Sequence, residues 1–143
     1  MLFDQQNPIN QLCARGMQLE GEAKPEDAAK LFMQAWNEAT NTAEKFIAAH
    51  YVARHQNTVA DKLQWDETAL NLALELDDPE VKGAFPSLYL NVAKCYEDLK
   101  DFDKAIENYQ LALEHAQSLP EDGYSNMIRS GIKSGLERVQ TPN

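Results

Sequence analysis

Between residues 88 and 119 the apolar positions recur at helical spacing. Tyr89, Val92, Ala93 and Tyr96 step by three, one and three, and Ala105, Tyr109 and Ala112 by four and three. Each segment therefore carries one apolar stripe on a helix of 3.6 residues per turn. A charged break at Leu99, Lys100 and Asp101 separates the two. Asp101 suits a helix N-cap, because its carboxylate can accept hydrogen bonds from the free N–H groups of the next turn, and Asp103 stands where the helix dipole favours negative charge. The pattern predicts a helical hairpin, and a lone hairpin would leave its other apolar face wet, so it also predicts neighbours.

The same pattern runs through the rest of the chain. Asn7 and Pro8 read as N-cap and first helical residue of a helix reaching about Leu19, with Leu12, Gly16 and Leu19 inward. After a turn over 20–24, Pro25 opens a second helix carrying Ala28, Phe32 and Ala35. Phe46, Ala49, His50 and Ala53 give a third stripe. A break at Gln56, Asn57 and Thr58 follows, and a fourth helix runs from about Val59 to Leu76. Beyond Pro120, Tyr124, Met127, Ile128, Gly131, Ile132, Gly135, Leu136 and Val139 outline a last amphipathic helix, with Arg129, Lys133 and Arg138 on its polar face.

Ala28-x3-Phe32 followed by Ala35, and Ala105-x3-Tyr109 followed by Ala112, resemble the second helix of a tetratricopeptide repeat, a helix–turn–helix unit of 34 residues. Gly16 and Leu19 are similar to that family's Gly-x2-Tyr element, with Leu in place of the aromatic. His50 lies 34 residues beyond Gly16, and Ala69 lies 34 beyond Ala35. In the middle copy Lys62 and Asp66 hold the signature positions, and Trp65 is expected to supply the missing bulk. From Ala69 to Ala112 the spacing is 43, and the surplus falls in 77–86, an insertion read as a long connection or a short extra helix. The resemblance implies an all-α, right-handed superhelix (solenoid) of three such hairpins plus a C-terminal capping helix. It is expected as a single domain over 1–143: repeat 1 about 8–41, repeat 2 about 42–77, the insertion 77–86, repeat 3 about 86–119 and the cap about 120–140.

Charge narrows the function. With 23 acidic against 13 basic residues the net charge is -10, which argues against nucleic acid, where Lys and Arg must neutralise phosphate. The first dozen residues lack a basic start and an apolar run, so neither a signal peptide nor a membrane span is expected, and the cytoplasm is the default compartment. Cys13 and Cys95 would stand on different hairpins, too far apart for a disulfide, and are read as reduced.

The resemblance also implies a concave wall lined by the first helix of each hairpin. One residue past each packing stripe, that face would hold Cys13, Met17 and Glu20; then Ile47, Tyr51, Arg54 and His55; then Leu90, Asn91, Lys94, Glu97 and Asp98. Apolar groups beside Arg54 and Lys94 fit a peptide or partner helix, with Tyr51, Arg54 and Lys94 at the centre. The expected function is a non-catalytic protein–protein interaction module for a protein or peptide partner of unknown identity. One subset of the family clamps acidic chaperone tails with Lys, Asn and Arg. Here Cys13, Met17 and Ala48 replace the first Lys and two Asn of that clamp, which disfavours that role.

Two other readings stand beside it. One is a homodimer built on the groove or on the Gly131 and Gly135 face. The other is a ligand-binding protein or enzyme with a site near 77–86. No Gly-x-Gly pair marks a dinucleotide or phosphate loop. His50 and His55, five apart, diverge around a helix, whereas a zinc pair needs a spacing of four. No catalytic residue, cofactor or metal ligand is therefore expected. His50, in a packing stripe, must aim a ring nitrogen at a partner, and His115 complements a helix C-terminus. Glu97, Asp98, Asp101 and Asp103 lack the glycine and spacing of a calcium loop, and Trp36 and Trp65 are expected to pack between hairpins.

Overall fold

The computed structural model describes residues 2–140. The chain divides into two compact units, Met1–Leu76 and Asp77–Asn143, with the boundary at the start of the segment read as an insertion. Among the described residues the regular structure is helical throughout.

The first unit holds α1 (Pro8–Gly21), α2 (Pro25–Glu38), α3 (Thr42–Val52), a 3₁₀ turn (Ala53–His55) and α4 (Val59–Glu75). α1 packs on α2 and α3 on α4, giving two hairpins that meet through α2 and α3. Asn7 caps α1 by accepting from the N–H groups of Ile9 and Asn10, and its amide donates to Glu44 Oε2, tying the starts of α1 and α3 together. α1 runs two residues beyond the predicted end at Leu19. Arg54 and His55 stand in the 3₁₀ turn rather than on the helix predicted for them.

The second unit holds α5 (Pro79–Lys82), α6 (Phe85–Asp98), α7 (Phe102–Ala116) and α8 (Gly123–Gln140). The 77–86 segment forms the short extra helix, capped by Asp78 on the N–H of Glu80 and pinned by the fully buried Val81. α8 covers both α7 and α6. This is the all-α architecture of three repeat-like hairpins and a C-terminal cap.

The turns show the repeat most plainly. At the end of α1 the N–H of Lys24 bonds the carbonyl of Leu19, with Ala23 at φ 62°. At the end of α6 the N–H of Asp101 bonds the carbonyl of Tyr96, with Lys100 at φ 65°. Both are the left-handed C-terminal turn that satisfies otherwise orphaned helix carbonyls, and neither uses the glycine that such a position favours.

The signature residues are core. Ala28, Phe32 and Ala35 in one unit and Ala105, Tyr109 and Ala112 in the other are all 0% exposed. Phe32 packs against Gly16 and Tyr109 against Gly135 so closely that a Cβ on either glycine would overlap the ring. In the middle copy the aromatic position carries Asp66, 4% exposed and paired with Lys62 Nζ at 2.6 Å. Trp65 turns away to meet Trp36 edge-on, centroids 5.0 Å apart, joining α4 to α2 as expected of the two tryptophans.

Two expectations need correction. α8 does not bury Tyr124 or Met127, which are 58% and 61% exposed. Its inner line is Ser125, Ile128, Ile132 and Gly135, with the Ser125 N–H held by Asp122, so the two large side chains fall beside the contact. His50 does not aim Nδ1 at a partner: that buried atom has none. α3 is covered on several sides, with Phe46, Ile47, Ala48, Ala49 and Val52 all buried.

The glycines can be told apart by substitution. Gly16→Ala and Gly135→Ala should each cost about 1–3 kcal/mol, because the facing ring is fully enclosed and overpacking outweighs the better helix propensity. At Gly131 the nearest atom to an added Cβ is Leu90 Cδ2 at 3.4 Å, so Gly131→Ala should be neutral or stabilising by up to about 1 kcal/mol. Urea melts of the three variants check this order.

Candidate functional site

The surface of the first unit has a hollow of about 410 Å³ between α1, α3 and the residues before α1. Its lining includes Phe3, Cys13, Met17, Ile47 and Tyr51, with the amide side chains of Asn10 and Gln11 at one edge. Cys13 and Ile47 were read as exposed groove residues. They are 2% and 6% exposed and contribute only to its floor. Both helices tilt the position beside their stripe inward, because α1 and α3 are also packed against each other. Phe3, at 56%, and Met17, at 42%, are its accessible apolar groups.

Beside the hollow, Glu20, Tyr51, Arg54 and His55 meet, as the sequence reading grouped them. Glu20 Oε1 pairs with Arg54 Nη2 at 3.0 Å and Oε2 with His55 Nε2 at 2.6 Å. Tyr51 stacks on Phe32, centroids 5.1 Å apart, and His55 stacks on the same ring at 5.7 Å. The Arg54 guanidinium lies 5.5 Å from the centre of the Tyr51 ring. Arg54 is thus already engaged in its own unit, although its side chain is 46% exposed and can exchange partners. Burial pushes the Cys13 thiol up to about 11, the opposite of what a nucleophile needs.

On α6 the predicted residues separate. Lys94 and Asp98 form an i, i+4 pair at 2.5 Å with side chains 50% and 41% exposed, and such a pair is readily broken by salt or a partner. Asn91 is half-buried. Leu90 is not an open groove residue: it packs on the cluster of Ala93, Ala105 and Tyr109, with Gly131 of the cap against it. The cap was counted in the sequence reading but its seat on α6 was not, so Leu90 was assigned to the wrong surface.

Glu97 is likewise structural. Tyr109 Oη donates to Glu97 Oε1 at 2.7 Å, and Arg138 from α8 donates to both carboxylate oxygens at 2.8 and 3.1 Å. The Arg138 guanidinium holds the Glu97 carboxyl below its usual 4.5, with the Tyr109 hydroxyl adding to this against the opposing effect of burial. Burial first, and the carboxylate second, drive the Tyr109 phenol far above its ordinary range. Nothing in the sequence pattern linked Arg138 to Glu97, 41 residues away. Gly135, offered as half of a self-association face, is filled by the Tyr109 ring.

Among the described residues no helix is long and apolar enough to cross a membrane, and no group of three or more His, Cys, Asp or Glu could hold a metal ion.

Fold and surface together define a helical-repeat protein with an apolar hollow rather than a polar cleft. Residues 86–119 match the tetratricopeptide repeat family. In structure, the chain is similar to PcrH from Pseudomonas aeruginosa, with a TM-score of 0.70 at 18% identity over 96% of each chain. It is also similar to PcrH in complex with the chaperone binding region of PopD, with a TM-score of 0.64 at 18% identity over 92% of this chain and 90% of that one. At that identity the likeness concerns the fold. No curated protein matches the chain in sequence.

Two pH effects follow. The folded-state pKa of Glu97 is depressed, so its contribution is present above about 4.5 and is lost as pH falls through the folded value. Glu97→Gln should cost about 1–2 kcal/mol at neutral pH, discounted for the half-exposed Arg138, and the deficit should shrink on acidification. Burial holds the His50 imidazole below its ordinary 6.5; Asp66 opposes this, and Arg54 and Lys62 reinforce it. Above 6.5 His50 is neutral folded or unfolded, whereas below it the unfolded chain takes the proton first and stability declines. Denaturant titrations from pH 4 to 8 should show this decline to be weaker in His50→Leu than in the wild type.

Proposed function

We propose that this chain is a non-catalytic protein-interaction module of the cytoplasm, binding a peptide or partner helix. On the first unit the partner would engage the hollow at Met17, Ile47 and Tyr51, beside Glu20, Arg54 and His55. On the second unit, taken by itself, α6 presents Asn91, Lys94 and Asp98 as a contact surface, while Leu90 supports the cap. The observation that carries the reading is the hollow itself. Apolar concave surface of this size, edged by amides and exchangeable ion pairs, suits one or two large side chains of a protein ligand. The match of 86–119 to an interaction repeat supports it. So does the complex of the structurally similar PcrH with the chaperone binding region of PopD. The acidic surface turns away nucleic acid and favours partners with basic segments.

Affinity capture from native cell extract tests this with two variants. Met17→Glu puts a charge into the hollow at an exposed position, and the Tyr51 and Arg54 double alanine variant strips the first unit's part of the predicted centre. Each should reduce recovery of the captured partner by about tenfold or more, as loss of a buried anchor does. Because Tyr51 stacks on Phe32, thermal melts accompany the double variant. Undiminished capture by both variants, folded, would sink the reading.

A further inference from the structure

In the second unit, α7 and α8 leave between them a groove of about 400 Å³. Its apolar lining is Leu113 and Ala116 of α7 and Leu136 of α8, and Arg129 and Lys133 stand along its α8 side. Arg129 is held by the main-chain carbonyls of Ala116 and Leu119, whereas Lys133 enters no ion pair among the described residues. The same unit carries an apolar knob. In the turn between α6 and α7, Leu99 and Phe102 are 44% and 47% exposed. The turn itself does not require them: in the matching turn after α1, Ala23 takes the left-handed position that Lys100 takes here, and Glu22 and Pro25 hold the corresponding places. Asp101 is engaged in capping α7 and Asp98 in pairing with Lys94, but Asp103, next to Phe102, enters no ion pair among the described residues.

We propose that the α6–α7 turn of one copy of this chain seats in the α7–α8 groove of another. Leu99 and Phe102 would then leave water for the surface of Leu113, Ala116 and Leu136, which is the driving force for the contact. Charge selects the orientation. On a chain of net charge -10 the groove is edged by two cations, and the turn brings the unpaired Asp103 to the unpaired Lys133, while its Lys100 has Glu137 of the groove as counterpart. The two surfaces differ, so the contact is head-to-tail and leaves a turn free on one copy and a groove free on the other. A knob of two side chains makes a contact at the small end of specific interfaces, so the dissociation constant is expected on the order of 0.1 mM. In about 0.15 M salt the general repulsion between acidic chains is screened beyond about 8 Å, whereas Asp103 and Lys133 would lie in direct contact.

Sedimentation equilibrium of the full chain from about 0.02 to 1 mM tests this, and should show association rising with concentration. Phe102→Glu removes the knob and Leu113→Glu blocks the groove, both at exposed helix positions, with circular dichroism recorded for each. Either alone should weaken self-association about tenfold or more. Mixed, the two should regain a single contact. Nitrogen-15-labelled Phe102→Glu, whose groove is intact, should shift its Lys133 and Leu136 amide signals when unlabelled Leu113→Glu, whose turn is intact, is added, and the mixture should stop at a one-to-one dimer. Lys133→Glu should also weaken association, and adding Asp103→Lys to it should restore the wild-type level. A wild type that stays monomeric at about 1 mM overturns the proposal, as does association that survives both glutamate variants. Association lost in each variant and not regained on mixing overturns it too, because only a contact between unlike surfaces can be rebuilt from one intact half on each chain.

Discussion

Each unit depends on one contact, an aromatic ring seated on a glycine. Phe32 on α2 presses on Gly16 of α1, and Tyr109 on α7 presses on Gly135 of α8. The ring is fully enclosed in both cases, so the approach of the helices is set by its thickness and by the absence of a Cβ opposite it. Interiors packed at this density transmit such a constraint outward. Tyr51 and His55 stack on the seated Phe32 ring, and with them come the Glu20 ion pairs to Arg54 and His55 beside the hollow. The seating of Tyr109 places its hydroxyl on Glu97 and so prepares the carboxylate for Arg138.

Between these two contacts lies a copy of the repeat solved differently. Asp66 fills the aromatic position and is paired with Lys62, while the bulk passes to Trp65, the residue just before it. A buried carboxylate needs compensation, and this arrangement leaves His50 nearby with a ring nitrogen unmatched. That part of the first unit is held by charge as well as by apolar packing.

The hollow inherits its character from the scaffold beneath it. Its floor is core residue, Cys13 and Ile47, and its edge is polar and exchangeable. Recognition by such a surface is carried by apolar anchors, while amide donors fix the path of the chain.

Much of the fold was legible because it is local. Period-3.6 stripes, the Asn7–Pro8 start, the Asp101 cap and the Ala-x3-aromatic spacing are properties of single helices and their ends, and the 34-residue recurrence marked which helices pair. The grouping of Glu20, Tyr51, Arg54 and His55 was legible for the same reason, since one helical phase rule placed them together. What the sequence could not decide were contacts made by a third element. Leu90 and Glu97 looked like groove residues until α8 covered the one and salt-bridged the other, and Tyr124 and Met127 looked buried until its phase turned them outward. The seating of residues 2–6 on Asn10 and Gln11 was invisible too, because amide–carbonyl bonds from side chain to main chain leave no periodic trace. Sequence determined each helix and its inner face; tertiary structure alone decided which outer faces remained free, because that depends on where elements distant along the chain come to rest.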